Sequence, residues 1–406
     1  MSRGKLPGGL SVWRARWLLL AGGATGGGRC DGSGVPVGEA DQPALHGLAV
    51  QAATDAGAAQ PRVWLDGKPE VTVHTGRRPC VHIGLPLVYA LSETELRGLV
   101  AHRLAPLGFA RPRLVKRLHH AWHEAREEAA DRGGRPTRRH AALLARAARF
   151  ADKVDRYADA VPVPLLGLRR SALMFARAEM ASLAFTECEA TVALVALRRG
   201  YAVSDLHDGW RRLLSLGGIG ETGWDSDLAE ELAARHPRLA QAINALGAED
   251  VELDHPQGTV ELAPLAPGVQ RRLAGTVLLP PGWRRMRWRT LDQVPQDVWR
   301  QRAVEEAAAV SADVALLLGR QPADAAEVVA VLTTRTREFA ALGGDDGSDA
   351  TAAPALLAVF EGALLQRGWH RADPVLPGVL VSPAGEKVDG RTLDAAAVTE
   401  LVSAPG

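Results

Sequence analysis

Lysine is nearly missing from this chain: five of its 48 basic residues are Lys and the others are Arg. Charge of one sign is missing too, because 47 acidic residues leave a formal charge of +1. No global field therefore draws nucleic acid or anionic lipid to the surface, and nucleic acid is not an expected partner. Cysteine is scarce: Cys30, Cys80 and Cys188 lie far apart and form no CxxC pair. That excludes a disulfide framework or a cysteine zinc site as the expectation and fits a reducing, cytoplasmic setting. No uncharged apolar run reaches the roughly 18 residues a membrane-spanning helix needs. Arg14 and Arg16 precede an apolar stretch, Trp17 to Ala24, that is short for a signal core, and Arg29 before Cys30 is a poor cleavage residue. No internal repeat is visible.

What is present is ample apolar material. With 47% hydrophobic residues over 406 positions, the chain can build a real core and has room for two or three domains. Residues 1–44 are glycine-rich and aperiodic and read as a loose arm. Ala44 to Ala56 has helical spacing. Three short extended runs follow, Arg62 to Asp66, Glu70 to His74 and Cys80 to Gly84, separated by turn residues, and they suggest a small antiparallel sheet. Ser92 and Glu95 form a capping-box pattern ahead of Leu96, Leu99 and Val100, so a helix starts there, and Pro106 should end it near Ala105. Arginine-rich helices are expected over Arg113 to Ala130 and Arg139 to Val154, then a long buried helix over Leu165 to Arg199 closed by Gly200. The fold class is α+β and predominantly helical. The expected divisions are a domain at 45–246, a proline-marked linker or extended region at 247–294, a helical region at 295–342, a flexible linker at 343–353 and a separate small C-terminal module at 354–406.

The chemistry concentrates at His102-Arg-Leu-Ala-Pro106. A zinc peptidase needs two His one helical turn apart, a Glu after the first to take a proton from bound water, and a third ligand from elsewhere. This stretch has the form of H-E-x-x-H with Arg103 at the base position and Pro106 at the second ligand position. With the preceding strands, Ile83-Gly-Leu-Pro-Leu and Leu-Ser-x-x-Glu-Leu, it resembles the HtpX/CAAX-endopeptidase family of zinc metallopeptidases, gluzincins of the HExxH type. Glu187-Cys-Glu-Ala190-Thr191 is similar to the family's E-x-x-A-D pattern, with Thr for the Asp, and Arg235-His-Pro-Arg-Leu resembles its downstream His-Pro segment.

The resemblance covers roughly 45–246 and implies a zincin-like core. It implies His102 as first zinc ligand and Glu187 as third, both vestigial here. Arg103 cannot accept a proton, and a cation there opposes a dication, so no residue is assigned as catalytic. The expected function is a pseudopeptidase that binds a peptide or protein and holds no cofactor. The competing expectation is an active zinc metalloendopeptidase using His102, Glu187 and a further ligand such as His119 or His123. A scaffold acting through the C-terminal module is a third. Other candidates read as structure: Cys188 as core, His74 and His82 as surface positions, and Trp283, Trp288 and Trp299 among their arginines as packing.

Overall fold

The computed structural model describes residues 34–74, 79–108, 153–216, 224–251, 253, 258–278, 286–343 and 352–404. It is mostly helical with small sheets, an α+β arrangement. The expected helices over 113–130 and most of 139–154, with His119 and His123, lie outside these residues, as do Trp283 and most of the linker at 343–353. In chain order the elements are β1 (Val35–Val37), α1 (Pro43–Asp55), β2 (Arg62–Asp66), β3 (Val71–His74), β4 (Cys80–Gly84), α2 (Leu85–Ala90) and α3 (Glu93–Gly108). A helical stretch at 153–160 (α4), α5 (Val163–Leu166) and α6 (Leu168–Cys188) follow. Next come a π-helical turn at Glu189–Ala193, α7 (Leu194–Arg198), β5 (Tyr201–Val203), α8 (Leu206–Ser215), α9 (Ser226–Arg235), α10 (Ala240–Ile243) and α11 (Pro267–Leu278). The remainder is β6 (Arg287–Arg289), α12 (Gln296–Leu318), α13 (Ala325–Thr334), α14 (Thr336–Gly343), α15 (Ala352–Gln366), β7 (His370–Arg371), β8 (Val379–Val381), β9 (Lys387–Asp389) and α16 (Ala395–Ser403). Two compact units result: 34–189 with 204–278, and 190–203 with 286–404.

In the first unit the sheet order is β1-β2-β4-β3. Pairing of β2 with β4 is parallel, whereas β1 with β2 and β3 with β4 are antiparallel, so the all-antiparallel expectation is corrected. The reason is a crossing: the chain leaves β2, passes β4's place to run along the edge as β3, and returns between them. The crossing is tight, because a side chain at Gly84 would meet the Lys68 carbonyl oxygen at 2.0 Å. Order also begins earlier than the sequence suggests, since Val35–Val37 extends the sheet. The stretch 247–294 is no mere linker: Pro267 opens α11, where its missing N–H costs nothing, and Leu273 and Ala274 are buried.

Helix α3 forms as its cap predicts. The Ser92 N–H and hydroxyl donate to Glu95 Oε2 at 2.9 and 2.7 Å, and the Glu95 N–H donates back to Ser92 Oγ at 3.3 Å. Glu95 also pairs with Arg177 at 3.1 Å, tying the start of α3 to α6. Pro106 does not end the helix, which runs on to Gly108. Its missing N–H removes only a bond of the last turn. Further down, a Cβ on Gly98 would come within 2.9 Å of both Leu166 and Met174, so glycine permits the close packing of α3 on α5 and α6. The long buried helix is interrupted at Gly167, at φ +80°, and again at the π turn. Contrary to expectation, one helix, Leu168–Arg198, is long and apolar enough to cross a membrane, and 67% of its apolar window is buried by the protein itself.

The cysteines also depart from expectation. Cys80 is disulfide-bonded, which removes the cysteine argument for a reducing compartment. Cys188 is free and buried; burial, with Glu187 and Glu189 adding to it, pushes the thiol up to about 12 and ends its candidacy as a nucleophile.

In the second unit, the stretches the sequence separates at 295–342 and 354–406 share one core, in which Ala303, Val314, Val329 and Leu332 meet Phe360, Leu364, Leu380, Val398 and Val402. Trp299 is fully buried there, under the Arg371 guanidinium at 5.6 Å, and Trp288 lies on β6, which pairs in parallel with β5. Arg371 bonds to Glu361 and donates to the Pro374 carbonyl at 3.3 Å, both charged side chains being almost fully buried. Removing one partner strands the other charge. Arg371→Ala or Glu361→Ala should therefore cost about 3–5 kcal/mol, read from urea melts, while the double replacement by apolar residues of similar volume should cost far less.

Candidate functional site

His102 sits on the buried face of α3, and folding brings two distant residues to it. Asp159 comes from α4 and His236 from the turn directly after α9. His236 Nδ1 lies 2.8 Å from Asp159 Oδ1 and His102 Nε2 lies 3.3 Å from the same oxygen, while the Arg238 N–H reaches Oδ2 at 3.4 Å. Phe175 of α6 stacks on His236 with ring centroids 3.8 Å apart and meets His102 edge-on at 4.7 Å. Burial alone would raise the Asp159 carboxyl, yet the bonds from His102 and His236 outweigh it and hold the group down at about 2. An ionised carboxylate can only accept, so both rings donate their N–H to it. Burial lowers both imidazoles, His236 to about 4, against the pull of Asp159. The cluster at neutral pH is one anion between two neutral rings.

Beside it opens a recess of about 80 Å³, lined by Glu70 and Thr72 at the sheet edge, Arg103 of α3, Glu179 of α6, and Arg235 and His236. Arg235 donates from both terminal nitrogens to Glu179 Oε2 at 3.3 Å. Burial raises both Glu70 and Glu179, opposed chiefly by Lys68 and by Arg235 respectively. Surrounding protein and then Arg235 pull the Arg103 guanidinium below its ordinary value, with Glu70 and Glu179 opposing. The residue keeps solvent access, so it stays charged at neutral pH.

The ligand set implied by the resemblance does not assemble. Pro106 offers no donor atom, and Glu187 lies on an exposed face of α6. Among the described residues the one cluster of three metal-binding side chains is His102, Asp159 and His236, and Glu187 is outside it. The acidic residue of α6 that faces the recess is Glu179, eight positions earlier and hence about 80° away around the helix. His236 carried a weak signal in its His-Pro context, but Asp159 carried none: it is a single acid in Ala158-Asp-Ala-Val161, with partners 57 and 77 residues away. His82 is buried against Asp66 at 3.4 Å and His74 is half-buried, so neither is a surface position. Compared with known proteins, the chain matches no family model, no curated protein and no solved structure.

The cluster makes stability depend on pH with a definite sign. The folded imidazole of His236 titrates near 4 and the unfolded one near 6.5, so between those values only the unfolded chain takes the proton. Stability should fall as pH drops from about 6.5 to 4, by on the order of 3 kcal/mol. A second loss should follow as Asp159 protonates on the way from about 3.9 to 2. Urea melts in EDTA across this range test it; a flat profile for the native protein, or an unchanged slope in His236→Gln, would contradict the assignment.

Proposed function

We propose that this chain is a pseudopeptidase, a zincin-like relative of the HtpX/CAAX-endopeptidase family that binds an extended peptide or protein segment without cleaving it. The carrying observation is Arg103 in the recess. A guanidinium has no lone pair to take a proton from water, and its charge opposes that of a metal-bound hydrolytic centre. The missing donor at Pro106 and the exposure of Glu187 support the same reading.

Binding is supported by the sheet edge. Among the described residues β3 pairs with β4 alone, and Val71 and Thr72 line the recess, so an extended backbone can add to this edge with a side chain in the recess. The paired charges Glu70, Glu179, Arg103 and Arg235 favour a polar or zwitterionic group there over an apolar one.

A mixed peptide library incubated with the protein, with and without zinc, tests both halves. Mass spectrometry should show no cleavage and a retained subset of peptides, and Arg103→Glu should weaken that retention about tenfold or more. Zinc-dependent cleavage that disappears in His102→Ala would establish the active metallopeptidase instead.

A further inference from the structure

We propose that His102, Asp159 and His236 bind one divalent first-row transition ion, zinc foremost, through a ligand set different from the one the family resemblance implies. Two imidazoles and a carboxylate are a common protein ligand set for such ions. Here they come from three separate elements and converge on one point, with ligand atoms all within 4.8 Å of one another. Both nitrogens address the same carboxylate oxygen, at 2.8 and 3.3 Å. Ligand atoms bound about 2.0–2.2 Å from one tetrahedral ion stand about 3.3–3.6 Å apart, so an ion can replace the two hydrogen bonds with small side-chain movements.

Charge acts on the three ligands in both senses: Arg103 opposes a cation there, and the Asp159 carboxylate, itself a ligand, favours one. The proposal is independent of the pseudopeptidase reading, because Arg103 cannot serve as a base whether or not an ion is bound.

The test uses the full chain, stripped with chelator, and titrated with Zn²⁺ by calorimetry and with Co²⁺ by visible absorption. One equivalent should bind with an apparent Kd of about 1 µM or below, and bound Co²⁺ should give the strong bands of a low-coordinate site. His102→Gln and His236→Gln should each weaken binding by at least about 100-fold, while His370→Gln, an exposed histidine, should leave it unchanged. If either Gln variant fails to fold by circular dichroism, His236→Cys decides: a retained site gains a thiolate-to-cobalt charge-transfer band. Absence of stoichiometric binding, binding indifferent to residues 102 and 236, or no such band in the folded Cys variant would overturn the site. Peptide cleavage by the metal-loaded protein would overturn the pseudopeptidase reading and leave the metal site standing.

Discussion

The first unit depends on how it handles one buried charge. The Asp159 side chain is wholly inaccessible to solvent, and an isolated carboxylate in such a place would cost several kcal/mol. It is kept by two imidazoles that must themselves be neutral to be buried. Each group sets the state of the others: the rings hold the carboxylate ionised, and burial keeps the rings from competing with it for a proton. Because the three residues stand on α3, α4 and the turn after α9, this electrostatic condition also fixes where those elements meet. Phe175 packs on both rings and also lines the recess.

The recess gathers its charges by the same geometry. Arg103 and His102 are neighbours on α3 but face different surroundings, one reaching solvent through the recess and the other packed against Phe175. Arg235 and His236 repeat the arrangement at the end of α9. Two Arg-His neighbours, running in opposite order through the chain, thus supply both guanidiniums of the recess and both rings of the cluster.

Much of this fold is written in local spacing, and those parts could be read without a structure. The Ser92–Glu95 box needs only residues three apart, and β2 and β4 begin and end where their β-branched runs and turn residues place them. The mixed sheet was not legible, because its parallel pair joins strands that are not consecutive, and nothing in the short turns distinguishes a hairpin from a crossing at the edge. The site divides in the same way. His102 is visible because a helix-borne motif surrounds it. Glu187 looks equivalent to a ligand by pattern, yet helical rotation turns it outward and presents Glu179 to the recess. Asp159 gives no sign in sequence, since its meaning lies entirely in partners on other elements.

Among the described residues β3 pairs with β4 alone, and its other edge bears on self-association. Strand edges do not discriminate well between a peptide and another copy of the same strand, so an unpaired edge is a route to self-association. The approach to β3 is Lys68-Pro69-Glu70, a charge, a residue with no N–H to donate, and a second charge. These three residues raise the cost of a second β3 docking in register.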